Sequence, residues 1–268
     1  MDFLVLLGIA IGFVSLLVAF VLEGGELVAL LGVSPFLIVI GGTLGATLVG
    51  LSREELRSLP ALLKAVLMDK RYNLMDTIET LTNYAVLARK EGLVRLEQEL
   101  NAIEDNFLRT ALQLIVDATD PEQTRHTLEQ YIYATSERHA AGIKIFEAAG
   151  GYAPTMGIIG TVMGLIHVLS NISSPDKLGP SIALAFIATL YGVSTANLIW
   201  LPLAAKLKNK SDKERLYQEL VLEGVLAIQA GKSPSLLRNT LLAFVPPAEQ
   251  REQKVQGRAA RESRAENA

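Results

Sequence analysis

Four stretches of this chain carry no charged residue: Phe3 to Leu22, Leu27 to Ser52, Ala148 to Pro175 and Leu178 to Ala205. Each reaches or exceeds the roughly 20 residues that a helix needs to cross a bilayer core. Inside lipid the backbone has no water to bond, so a segment of this length closes its hydrogen bonds as helix. The pattern predicts an all-α, polytopic membrane protein with four transmembrane helices, at about 3–22, 30–51, 150–171 and 180–204. A fifth of the 268 residues are charged, yet they are segregated from these runs. That segregation excludes a soluble enzyme, a secreted disulfide domain and a nucleic-acid binder. Cysteine is absent, which removes thiolate metal sites and thiol nucleophiles. The start, Met1-Asp2 with no basic segment before a span-length apolar run, predicts no cleavable signal peptide.

Topology follows from the basic residues. Arg53 to Glu147 holds 12 Lys and Arg, and the chain from Lys206 onward holds another 12 of the total of 25. The link between the first two spans, Glu23-Gly-Gly-Glu26, has none, and that between the last two has only Lys177. The positive-inside rule places the basic pieces and both termini in the cytoplasm. The chain thus divides into spans one and two (1–52), a helical cytoplasmic domain (53–147), spans three and four (148–205), cytoplasmic helices (206–245) and a polar tail (246–268) expected to be disordered.

Helix signals mark the inner pieces. Ser52-Arg-Glu-Glu55 is a capping box, and Asp120-Pro121 a helix start with no break before Gly150-Gly151. Leu62, Leu63, Val66 and Leu67, and likewise Leu108, Leu112, Ile115 and Val116, recur at helical spacing. His126 and His139 sit in a charged helix and read as surface residues.

The spans lack any Asp, Glu, Lys or Arg, although ion carriers that work by protonation use an intramembrane acid or base. His167, toward the outer half of span three, is the one titratable imidazole there; it either lines the path or packs against a neighbouring helix, with packing preferred. If ions pass, another subunit supplies the titrating group. Small residues crowd spans three and four: Gly157, Gly160, Gly164, Ala188 and Gly192. They permit close helix approach, either within this chain or against a partner's helix. Thr161 and Thr189 each lie 14 residues from Pro175, hence at one depth in a hairpin. Pro154 and Pro202 flank them nearer the inner ends and free backbone carbonyls. Two hydroxyls at one level could line a cation path, or each could bond only its own i−4 carbonyl.

The run Gly150-Gly-Tyr-Ala-Pro154-Thr-Met-Gly-Ile-Ile-Gly-Thr161-Val-Met-Gly-Leu-Ile-His-Val-Leu169 resembles the third span of MotA-type flagellar stator subunits. Ile182-Ala-Leu-Ala-Phe-Ile-Ala-Thr189-Leu-Tyr-Gly-Val, followed by Pro202 and Lys206-Leu-Lys208, resembles their fourth. The resemblance covers residues 1 to about 245. It implies an ion-conducting stator subunit without cofactor, five copies of which surround two MotB-type subunits that carry the titrating Asp. It implies coupling roles for Pro154 and Pro202 in the cytoplasmic (inner) membrane. It also implies that Arg89 and Glu97, in Ala88-Arg89-Lys-Glu-Gly92-Leu-Val-Arg-Leu-Glu97, contact the rotor protein FliG. Eight residues is near two helical turns, so the pair could share a face unless Gly92 breaks the helix. Thr at position 161 is similar to the sodium-driven members, where proton-driven ones usually have Ala. Transient sodium at Thr161 and Thr189 is therefore favoured over protons. An ExbB/TolQ-type proton-channel subunit would have three spans, against which the run from Leu27 to Ser52 argues. A non-conducting membrane scaffold is the other alternative. A membrane enzyme finds no support, for lack of paired carboxylates, metal-ligand clusters or a nucleophile with a base near the spans.

Overall fold

The computed structural model describes residues 3–68, 72–173 and 175–250. From residue 251 onward, the tail expected to be disordered lies outside the described residues. The described residues form helices without strands: α1 (Phe3–Leu22), a 3-10 turn (Leu27–Leu30), α2 (Val33–Val49), α3 (Arg53–Leu67), α4 (Leu74–Glu91), a second 3-10 turn (Leu93–Leu96), a single turn (Glu97–Leu100), α5 (Asn106–Val116), α6 (Pro121–Ser170), α7 (Pro175–Thr195), α8 (Leu201–Gln229) and α9 (Pro234–Leu241). A π-turn (Ala196–Trp200) joins α7 to α8, and another (Leu37–Gly41) lies inside α2.

Among the described residues three helices are long and apolar enough to cross a membrane: α1, a window of α6, and the run from Leu178 through α8. The stretch expected at 30–51 is shorter. Leu27–Leu30 winds as 3-10 and Gly32 is extended, so α2 begins only at Val33 and ends at Val49. Its 17 residues rise about 26 Å against a hydrocarbon core of about 30 Å. The non-helical backbone before α2 is satisfied by Tyr191 of α7, whose hydroxyl donates to Leu30 O at 2.5 Å and accepts from Gly32 N at 3.3 Å. Tyr191→Phe is expected to lower stability by about 1–2 kcal/mol, read as a lower melting temperature in detergent. An unchanged melt would show that the tie contributes nothing.

The break expected at Gly150-Gly151 does not occur, and α6 continues through both glycines and Pro154. A Cβ at Gly150 would lie 2.5 Å from Leu201 Cδ2, so this glycine accommodates α8 rather than ending α6. The boundary expected at 205/206 is likewise crossed by α8.

The helices fall into two compact units. One is built from 3–68 and 137–210, the other from 72–136 and 211–250. Thus α3, assigned by its charges to the cytoplasmic domain, packs with the apolar helices. Val66 of α3 is buried with Ile143, Phe146, Leu203, Ala204 and Leu207, and Leu62 leans on Gly142. The Lys210 ammonium donates to Ala65 O, Val66 O and Met68 O at 2.8, 2.9 and 2.5 Å, which closes the carbonyl end of α3. The box read at Ser52 is present, with Ser52 Oγ accepting from Glu55 N and Glu55 Oε2 from Ser52 N. Hydrogen bonds from the Ser52 backbone N–H and the Ser52 hydroxyl to the Glu55 carboxylate hold it below its ordinary range. Gly12, midway along α1, lies against Leu198 of the π-turn, and Gly42 of α2 lies against Met156 of α6.

In the second unit Ile78, Leu81, Leu96, Leu112, Ile115, Leu128, Leu220, Leu237 and Leu241 form the core. Asn73, Asp105, Asp120 and Ser233 each accept from backbone N–H groups at helix starts. Burial raises the Tyr217 phenol, and the Asp105 carboxylate beside it adds to the effect. The Tyr217 ring lies 4.7 Å from that of Tyr72.

Candidate functional site

In the apolar unit α6 and α7 approach each other backbone to backbone, and glycine makes this possible. A Cβ on Gly192 would stand 2.6 Å from Ala153 O and 3.1 Å from Gly157 Cα. One on Gly157 would stand 2.9 Å from Ala188 O. A Cβ on Gly160 would stand 2.6 Å from Ala188 Cβ, and one on Gly164 would stand 2.6 Å from Ala185 Cβ. All five small residues singled out for a partner's helix therefore lie along a seam within this chain, where their bareness is used.

This proximity brings together the two threonines. Thr161 Oγ1 lies 2.5 Å from Thr189 Oγ1, 3.0 Å from Ala185 O and 3.1 Å from Gly157 O. A hydroxyl has one proton and two lone pairs. Carbonyls cannot donate, so Thr161 serves Ala185 O and Gly157 O, and Thr189 donates to Thr161. That assignment leaves one lone pair on Thr161 and two on Thr189, all oxygen, as a hard cation requires. Thr161 makes its i−4 bond to Gly157 O and the inter-helix bonds as well. The signal for this in the sequence is the equal spacing from Pro175.

Pro154 is half-buried within unbroken α6, and Pro202 is exposed, two residues after the π-turn. Each lacks an N–H, which leaves the carbonyl four residues earlier without its α-helical partner. A π-turn beside a proline is a place where a helix can change its winding. His167 is exposed, and its carbonyl accepts from Asn171 Nδ2 at 2.9 Å. No cluster of three or more His, Asp and Glu that could hold a metal ion occurs among the described residues.

In the other unit Arg89 and Glu97 do not share one helical face. Gly92 takes φ +86° and ends α4, so Arg89 closes that helix while Glu97 opens the turn Glu97–Leu100. Both are exposed. Arg95 between them is engaged by Glu91 at 3.1 Å and Glu99 at 3.6 Å. Neither Arg89 nor Glu97 forms an ion pair or side-chain hydrogen bond among the described residues. Sequence reasoning missed Tyr191 and Lys210, because an aromatic in an apolar run and a lysine after one carry no pattern of their own.

Comparison with known proteins bears on what such an arrangement serves. Residues 99–219 match the MotA/TolQ/ExbB proton channel family, and residues 6–92 match the N-terminal region of motility protein A. Motility protein A of Bacillus subtilis is 37% identical over 260 residues, which cover 97% of this chain and 96% of that protein. Chemotaxis protein PomA of Vibrio alginolyticus is 36% identical over 91% of this chain and 96% of its own length. In the solved flagellar MotAB stator complex from Bacillus subtilis, a chain 37% identical superposes with a TM-score of 0.87, covering 92% of this chain and 98% of that one.

Proposed function

The chain belongs to the MotA-type stator subunits of the MotA/TolQ/ExbB proton channel family, and we propose that it works as one of five copies around two MotB-type subunits, passing sodium to turn the flagellar rotor. As a family member with long apolar helices it is a multi-pass protein of the inner membrane. Both termini face the cytoplasm in this reading.

The observation that carries the proposal is the Thr161–Thr189 oxygen pair in spans that contain no carboxylate. A partner's Asp supplies the missing charge. Neutralised by an ion held near the two hydroxyls, it tolerates the apolar wall, whereas ionised it does not. Binding and release then step the ring around its axle. Voltage supplies about 2.3 kcal/mol per ion for each 100 mV. Bare oxygen ligands favour a dehydrated sodium ion, because a proton carried on the carboxylate needs none.

Arg89 and Glu97 carry the torque to FliG, an assignment supported by their exposure and lack of internal partners. The test is expression with a MotB-type subunit in cells lacking their own stator. Rotation should return, and Arg89→Glu should reduce it severely at unchanged membrane levels, since losing one partner of an interface charge pair costs about 2 kcal/mol or more. Full rotation in Arg89→Glu would remove that residue from the rotor contact. No rotation with any partner would return the ExbB/TolQ alternative.

A further inference from the structure

Two unmatched hydrogen-bonding groups meet where α6 passes the junction of α7 and α8. The first is a donor. Trp200 ends the π-turn Ala196–Trp200, and its indole Nε1 is buried with no hydrogen-bond partner among the described residues. The second is an acceptor. Pro154 carries no N–H, so Gly150 O, four residues earlier, lacks its α-helical donor. The two residues adjoin, with Trp200 Cβ 3.5 Å from the place a Cβ would take on Gly150. Trp200 packs against the apolar cluster of Val66, Ile143, Phe146 and Leu203, which offers an N–H nothing. A buried donor of this kind is normally paired.

Winding connects the two groups. Leu201 N donates to Ala196 O, five residues back, where an α-helix would use Asn197 O. Moving that one bond rewinds the turn as α-helix and rotates Trp200 about the axis of α8. We propose that Trp200 is a positioning residue of the stator cycle: when the π-turn rewinds, its indole N–H turns to Gly150 O and ties the Pro154 level of α6 to the start of α8. In the winding described above the tie is open, and both groups are unpaired. In the rewound state it is closed. The two states differ by one hydrogen bond against local repacking, a gap small enough for ion binding to reverse. The trigger, neutralisation of the partner's Asp, rests on the stator reading above; the bond itself does not.

Trp200 is the single tryptophan of the chain, so its indole can be read alone. Ultraviolet resonance Raman spectra of the full chain with its MotB-type partner in nanodiscs, less those of Trp200→Phe, isolate the N–H bending mode. Its frequency falls when the N–H donates. Two components are expected, one free and one donating, and the donating one should grow when the partner's Asp is replaced by Asn. Pro154→Ala, which returns an N–H to Gly150 O, should erase it. Trp200→Phe should keep membrane levels and melting temperature, because the donor it removes is unpaired. Its rotation speed should fall by about five-fold, the population shift worth one net hydrogen bond. A single free component in every sample would overturn the proposal, as would a donating component that survives Pro154→Ala. Components that ignore the partner's Asp→Asn would overturn the positioning role. So would a fall in speed matched by a fall in melting temperature, which would leave Trp200 a packing residue. A wild-type chain that turns no motor would count against the stator reading instead, and the Raman comparison would still decide the bond.

Discussion

Gly192→Val is expected to stop the chain from accumulating as a folded membrane protein. The new Cβ would stand 2.6 Å from Ala153 O, 3.1 Å from Gly157 Cα and 3.2 Å from Gly157 N. All three atoms are backbone, so no side chain can rotate away, and α6 and α7 must separate. Overpacking of a tight interior costs about 1–3 kcal/mol, and a backbone clash lies at the upper end. Separation also breaks the Thr161–Ala185 and Thr161–Thr189 bonds, which raises the loss toward the whole of a typical stability of about 5–15 kcal/mol. Gly41→Ala is the control. Nothing lies within 4 Å of its would-be Cβ, and alanine favours helix by about 1 kcal/mol. Membrane levels and melting in detergent should collapse for the first variant and hold for the second. Normal levels of Gly192→Val would show that the seam is looser than described.

Thr161→Ala should leave assembly intact and remove most of the sodium drive. Without Thr161, the Thr189 hydroxyl turns to Ala185 O, its own i−4 carbonyl, so no buried donor is stranded. The cation, however, loses one of its two side-chain oxygens. A ligand worth about 1.4 kcal/mol shifts affinity ten-fold, so rotation at low sodium should fall by about that factor and recover in part as sodium is raised. Thr161→Ser, which keeps the oxygen, should restore most of it. Normal swimming of Thr161→Ala at low sodium would remove the coordination role.

The parts of the fold that depend on local chemistry were readable from the residues. Ser52 with Glu55, and Asp120 before Pro121, mark helix starts because a short oxygen side chain meets orphan N–H groups there. Uncharged runs announce long apolar helices because lipid admits little else, and among the described residues three such helices are long enough to cross a membrane. The misses have tertiary causes. Gly150 reads as a break until Leu201 occupies the space its side chain would fill. The start of α2 moves to Val33 because Tyr191, 161 positions away in sequence from Leu30, holds the preceding turn in place. The charges of α3 suggest a separate inner domain, whereas the spacing of Leu59, Leu62 and Val66 fastens it to the apolar helices. At the site, the equal distances of Thr161 and Thr189 from Pro175 were legible. The third acceptor, Ala185 O, was not, because a backbone carbonyl leaves no mark in a sequence.

The central claim is that the threonine pair serves a sodium-driven stator. The most direct measurement is the rotation speed of tethered cells carrying this chain and its cognate MotB-type partner, with external sodium varied at fixed voltage and pH. Speed should rise with sodium and saturate, with the half-maximal concentration shifted upward in Thr161→Ala. Speed indifferent to sodium but sensitive to pH would contradict the account, leaving a stator driven by protons.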